Sequence, residues 1–294
     1  LVAISFFSFS LIHLAPSDPA EVALRVNDIV PTEEAIESMR EELGLDEPFL
    51  VRYFAWLRDC LRGDFGTSFI TKKPVFDEIV QALPPTLYLA GVAFFMIVII
   101  SITLAVICVI FEERFLDRAL RTFVFVAEAM PSYWFGLLLI WFFSVKLDLF
   151  PTSGFERPSS VVLPALTLSF AYIPTYVRLS RGKMIEHKGE NYVLYARARG
   201  LKGTTIYYYL IKHSFHSSLT ALGMSIPKLV AGTVVIENIF AWPGIGRLCV
   251  DAIFHYDYPI IQAYVLLIAV LFVVLNLLVD IVTTVLDPRW GKEG

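Results

Sequence analysis

Five blocks of largely apolar sequence, at approximately 86–110, 121–146, 161–180, 218–237 and 260–286, each approach or exceed the length a helix needs to cross a bilayer. That length is about 20 residues for a hydrocarbon core about 30 Å thick. Lipid offers no hydrogen-bond partner, so every backbone N–H and C=O in such a block must be satisfied within the protein, which restricts the blocks to membrane helices. Composition agrees: 56% of the 294 residues are hydrophobic and 18% charged, against about 45–50% and about 25% in soluble domains. A shorter apolar stretch, Leu1–Leu14, has no basic region before it and no small-residue cleavage site after it. Ala15-Pro16-Ser17-Asp18-Pro19 closes it, so it reads as a first membrane helix without its first turns rather than a signal peptide, making six spans. The block at 161–180 contains Pro164 and Pro174, which membrane helices tolerate where neighbours satisfy the freed carbonyls. The expected fold class is therefore an all-α integral membrane protein with a small helical segment outside the membrane.

Lysine and arginine set the orientation. The connection from Arg178 to Ser217 carries eight basic residues (Arg178, Arg181, Lys183, Lys188, Arg197, Arg199, Lys202 and Lys212) against two acids, Glu186 and Glu190, which predicts a cytoplasmic loop. The short connection with Arg114, Arg118 and Arg121 then lies on the same side, as do both termini. The segment from Ala15 to about Pro84, with seven basic and fourteen acidic residues, falls outside. Within it, Thr32-Glu33-Glu34-Ala35 predicts a capping box opening a helix over Thr32–Leu43 that Gly44 ends. Pro48–Leu61 predicts an amphipathic helix with Tyr53, Trp56 and Leu57 on one face. The expected organisation is a first membrane helix (1–14), an extracytoplasmic segment (15–84), a membrane domain (85–286, its cytoplasmic loop at 181–217) and a cytoplasmic tail (287–294).

Catalytic signatures are missing. The chain has no GxxxxGK[ST], HExxH, GxSxG or GxGxxG, so it carries no phosphate-binding loop, zinc-protease site or nucleophile elbow of the usual kind. No catalytic residues and no cofactor are expected. Cys60, Cys108 and Cys249 lie far apart, and only His213 and His216 of the five histidines share a helical spacing, so no metal site is expected. The net charge of −4 argues against nucleic acid as a partner.

Ionisable residues inside spans are expensive and therefore informative. Glu128, Lys228, Glu237 and Asp280 are such residues. They fit either a translocation path or interhelical pairing and snorkelling, and Lys228 directly follows Pro227, as in a broken helix lining an aqueous route. In the basic loop, Glu190-Asn191-Tyr192-Val193-Leu194-Tyr195-Ala196-Arg197-Ala198-Arg199-Gly200-Leu201 suits a short surface helix, with Gly200 placed for a left-handed cap. Such a helix fits a groove on a cytoplasmic partner, or an anionic lipid surface.

Tyr192–Leu201, written YVLYARARGL, resembles the coupling loop of permease subunits of binding-protein-dependent ABC importers in the dipeptide, oligopeptide and nickel branch, where the pattern is close to YVRTARAKGL. The resemblance covers nearly the whole chain. Leu43–Pro48 is similar to that branch's LGLDxP, Gly63–Ser68 to GDxGxS, Leu83–Leu87 to the LPxTLxL that opens the membrane unit, and Met130–Trp134 to MPxFW. Leu163-Pro164-Ala165 is similar to LPA and Asp287-Pro288-Arg289 to the closing LDPR, while Ile236–Arg247 with Asp257-Tyr258-Pro259 looks most like nickel-type members. In the wider EAAxxxG loop pattern an acid stands where this chain has Leu194, and the proline that usually closes the loop is Ser217 here.

The resemblance implies a type I importer permease fold, placed in a bacterial or archaeal inner membrane and surrounded by lipid. It implies no ATPase site in this chain and, as partners, a second permease in a heterodimer, two ATPase subunits and an extracytoplasmic binding protein. It assigns Glu190, Tyr195, Ala196, Arg197, Ala198, Arg199, Gly200 and Leu201 to ATPase coupling. The turn with Asn238, Phe240, Trp242, Pro243 and Gly244 is expected to face the binding protein, or simply to end a span in the interfacial belt. The implied cargo is nickel or another transition metal, free or chelated. A dipeptide or oligopeptide importer is the alternative within the same branch, and a stand-alone secondary transporter or channel is a remoter one.

Overall fold

The computed structural model describes residues 2–13, 18–27 and 29–286, the side chains of 11–13, 215–220 and 286 excepted. The expected tail 287–294, the Asp287-Pro288-Arg289 motif and the side chains of His216 and Ser217 lie outside that set. The described residues are almost wholly helical, with a lone bridge between Thr67 and Pro74 in place of any strand. Two compact units form. One comprises residues up to Thr86 together with Pro243–Val273, and the other Leu87–Trp242 with the last helix from Val274 onward.

In the first unit, α1 (Val2–His13) packs on α4 (Phe49–Leu61) through aromatic rings, Phe6 against Tyr53 at 5.2 Å and Phe9 against Trp56 at 5.4 Å. The Tyr53 hydroxyl, carried into this apolar contact, finds the Ser5 hydroxyl at 2.9 Å. Between them α2 (Pro19–Val26) and α3 (Glu33–Glu42) pair. Thr32 accepts the Ala35 amide at 3.3 Å, which is one half of the expected capping box. The reciprocal half does not form, because Ala35 has no carboxylate to return. α3 and α4 end alike. Gly44 (φ +63°) and Gly63 (φ +86°) take the left-handed position, and the amides of Leu45 and Asp64 reach back to the carbonyls of Arg40 and Asp59. The expected LGLD and GD motifs are thus helix stops. Beyond them Ser68 donates to Asp257 at 2.5 Å, and the same buried carboxylate accepts the Phe69 amide at 3.1 Å. This ties the GDFGTS loop to the turn between α13 (Ile245–Phe254) and α14 (Tyr258–Leu286).

α5 (Val75–Ile110) is one helix of 36 residues that starts well inside the segment expected to lie outside the membrane and runs through Pro84 and Pro85. Thr86, just past the prolines, accepts the Ile245 amide at 2.9 Å at the start of α13. Two of the expected spans are not straight. α6 (Phe115–Ala129) and α7 (Ser132–Leu139), continued by a π-helical stretch Ile140–Lys146, bend by 104° at Met130-Pro131. A 3-10 turn, Pro158–Val161, leads into α8 (Val162–Phe170), which bends by 60° into α9 (Ile173–Lys188), whose second residue is Pro174. Proline lacks the amide to continue a helix and crowds the preceding carbonyl, hence both breaks.

α10 (Asn191–Ala198), α11 (Gly203–Gly223) and α12 (Ile226–Ile239) follow, with the Ser225 hydroxyl satisfying the Leu222 carbonyl at the α11–α12 break before Pro227. Among the described residues three helices are long and apolar enough to cross a membrane, or up to five when each bent pair is one span. The first of the six expected spans falls on α1, of 12 residues, and the other five fall on these three helices and two bent pairs.

The second unit's core joins Leu89 and Ile97 of α5 to Leu139, Leu168, Leu229 and Trp242. At its centre α7 approaches α8 so closely that a Cβ on Gly136 would stand 2.8 Å from Thr167 Cγ2 and 3.4 Å from the Phe240 ring. Lipid provides no hydrophobic drive between helices, so close approach at small residues is what packs them. G136A is therefore expected to lower the melting temperature of the detergent-solubilised protein by several degrees. G91A, at a position open to space, leaves it unchanged; equal melting temperatures for G136A and wild type would remove the assigned packing role.

Candidate functional site

α10 is the short helix predicted in the basic loop. Glu190 stands at its N-cap in extended conformation, and Arg199 at its C-cap. Gly200 has φ +70°, its amide bonds the Arg197 carbonyl at 2.9 Å, and the Leu201 amide bonds the Ala196 carbonyl at 3.1 Å. This paired closure needs a left-handed residue at position 200. Val193 and Ala196 are buried, on the side where α10 meets α11. Leu194, Tyr195, Arg197, Ala198 and Arg199 are exposed. The helix thus presents two arginines and two large apolar side chains together, a surface suited to a protein groove with acidic rims. Behind it, the Tyr192 ring lies 4.7 Å from His213 and 6.4 Å from His187. Burial pushes the Tyr192 phenol above its ordinary pKa, with Glu190 adding to the shift.

α9, which leads into α10, is fastened to the region around α6 by three ion pairs. Arg178 holds Glu128 with both guanidinium ends, the longer contact at 2.6 Å. Arg181 grips Asp117 through Nε at 3.1 Å and Nη2 at 3.0 Å. Lys188 pairs with Glu112. Asp117 is fully buried and also accepts the Glu113 amide at 3.2 Å, with Arg121 Nε at 3.4 Å.

Of the four expected path residues, Glu128 is therefore engaged by Arg178. Glu237 is fully buried in α12, while Lys228 and Asp280 are exposed on α12 and α14. The turn expected to face a binding protein is largely spent on packing. Trp242 is fully buried against Phe155 at 4.8 Å and stacked on Tyr88 at 6.3 Å, and its amide returns to the Glu237 carbonyl at 2.8 Å. Phe240 and Gly244 are buried as well, and Ala241, between Phe240 and Trp242, has φ +48°. Asn238 and Pro243 are the exposed members.

Sequence reasoning passed over Asp117 and its partner Arg181. Its signal was available: an acid four residues before Arg121 in a strongly amphipathic helix, opposite a second basic segment predicted on the same side.

Comparison with known proteins bears on this arrangement. Residues 97–292 match the family described as binding-protein-dependent transport system inner membrane component, and residues 1–90 the N-terminal model of such membrane components. The metal-staphylopine import system permease protein CntB of Staphylococcus aureus (strain NCTC 8325 / PS 47) is 40% identical, over 100% of this chain and 94% of its own. The oligopeptide transport system permease protein AppB of Bacillus subtilis (strain 168) is 36% identical, over 98% and 94%. Among solved structures, the MetNI methionine ABC transporter in inward-facing conformations resembles the fold with a TM-score of 0.60, at 16% identity, over 71% of this chain and 96% of that one.

The α10 cap yields a test of its own. G200A places a Cβ at φ +70°, which costs about 1 kcal/mol, whereas asparagine tolerates that conformation. Amide exchange at Leu201 is expected to rise about five-fold in G200A and less in G200N. Equal protection in all three proteins would mean that the cap does not hold the helix end.

Proposed function

We propose a cargo and a coupling scheme for this chain, which belongs to the family of inner-membrane components of binding-protein-dependent transport systems. It is a multi-pass permease subunit of an ABC importer and carries no ATPase site of its own; hydrolysis belongs to a partner. The cargo we propose is a transition metal, nickel or a neighbour, that enters wrapped in a small chelator delivered by an extracytoplasmic binding protein. The single observation behind this reading is the 40% identity, along the full chain, to a permease whose name specifies a metal–staphylopine complex. Among the described residues no three of His, Cys, Asp and Glu converge as a metal cage, which suits a cargo that brings its own ligands. A dipeptide or oligopeptide cargo is the second reading, favoured by the 36% identity to AppB.

In the coupling scheme α10 docks on an ATPase subunit at the cytoplasmic face, with Arg197 and Arg199 meeting carboxylates and Leu194 and Tyr195 filling a groove. Closure of the ATPase pair displaces α10 and shifts the spans between inward-open and outward-open states, a population shift set by differential contacts. Both termini then lie in the cytoplasm. The ion pairs joining Glu112 and Asp117 to α9 support this side assignment, because they bring two basic segments to one face of the second unit. A second, related permease completes the path, with Glu128, Lys228, Glu237 and Asp280 as the residues to test along it. On the opposite face, Asn238 and Pro243 form the part of the turn open to the binding protein.

Proteoliposomes holding this chain, its second permease and the ATPase subunits, supplied with binding protein, test the cargo. ATP-dependent entry of chelated nickel that excess di- and oligopeptides do not suppress is expected. Peptide entry without metal entry would reassign the cargo, and entry independent of ATP would overturn the importer reading. In the same vesicles R199E is expected to insert normally and to lower uptake about ten-fold, the equivalent of about 1.4 kcal/mol. Undiminished uptake by R199E would remove α10 from the coupling scheme.

A further inference from the structure

The three ion pairs on α9 follow one order along the chain. Along α9 the cations stand at 178, 181 and 188, while their partners fall at 128, 117 and 112. Rising number on one side meets falling number on the other, so the pairs form an antiparallel strap. One end, Lys188–Glu112, lies three residues before α10 begins, across a joint of Gly189 and Glu190 whose amides bond the Glu186 and His187 carbonyls. The other end, Arg178–Glu128, lies two residues before Met130-Pro131, where α6 turns by 104° into α7. The strap therefore connects the base of α10 to a bend inside the second unit.

Its middle pair differs from the ends. Both oxygens of the fully buried Asp117 carboxylate are held by Arg181, and Glu113 and Arg121 add to the grip. A bidentate guanidinium–carboxylate pair fixes direction as well as distance. Apolar contact between helices is non-directional and permits sliding.

We infer that Asp117 is a positioning residue for transport: through Arg181 it locks α9 to α6, so that displacement of α10 reaches the Met130-Pro131 bend instead of dissipating as slippage between the two helices. The inference rests on the reading of α10 as the ATPase-contacting helix and adds the element that carries its motion inward.

The experiment uses the complete importer in proteoliposomes, with ATP hydrolysis and cargo entry measured in the same vesicles, so that the readout is cargo imported per ATP. D117N and R181Q are expected to lower this ratio about five-fold or more while hydrolysis stimulated by binding protein persists. The charge exchange D117R/R181D is expected to restore much of it. E128Q and K188Q alter the partly exposed ends, where folding is tolerant, and are expected to lower the ratio less. An unchanged ratio in assembled D117N and R181Q overturns the inference. So does equal loss of hydrolysis and uptake without recovery on charge exchange, which is the mark of a merely structural pair. Should D117N and R181Q fail to assemble, an unchanged ratio in both E128Q and K188Q overturns it. A wild-type importer without ATP-driven entry would instead unseat the underlying reading.

Discussion

A carboxylate held fully out of water at Asp117 is the interaction on which the arrangement of α6, α9 and α10 depends. Desolvating a carboxylate costs several kcal/mol, and only close, well-aligned cations and amides offset it. Arg181, Arg121 and the Glu113 amide supply them. Removing one partner of such a pair costs roughly 3–5 kcal/mol, so α9 is pinned against α6 in one register. Because α10 follows α9 after two residues, closes on its own glycine cap and packs on α11, its exposed arginines are placed by α9 and α11 together.

The broken helices obey the same accounting for backbone groups. A proline inside the hydrocarbon region frees a carbonyl, and membrane proteins keep such breaks where protein can answer them. At the α11–α12 break the Ser225 amide and hydroxyl both meet the Leu222 carbonyl. After Pro84 and Pro85, Thr86 receives the Ile245 amide at the start of α13, so the proline pair that weakens α5 coincides with the place where another helix begins. The bends at Met130-Pro131 and before Pro174 divide two of the apolar blocks into helix pairs, each a broken span or a re-entrant loop.

Hydropathy made the membrane class and most of the helical blocks legible, because block length against bilayer thickness is a one-dimensional property. Local chemistry made two helix ends legible, Gly44 and Gly200, and the structure adds Gly63 as a third stop in the left-handed position. The family was legible through motifs that proved to be such stops and corners, as with Trp242, whose ring is sealed between Tyr88 and Phe155. What stayed hidden were pairings across the fold. Glu128 reads as a lone acid in a span until Arg178 is placed beside it, 50 residues on. Asp117 reads as one more charge in a basic loop until burial singles it out. Bend angles were equally hidden, since a proline marks where a helix breaks and neighbours decide by how much.

The three ion pairs of α9 differ in how far solvent reaches them. Arg178 and Glu128 are about half exposed, at 50% and 40%, so water and ions screen them and their pairing adds little to stability. Arg181 at 19% and Asp117 at 0% are screened far less. Salt therefore weakens the contact between Arg178 and Glu128 before it weakens the one at Asp117, which keeps α9 on α6.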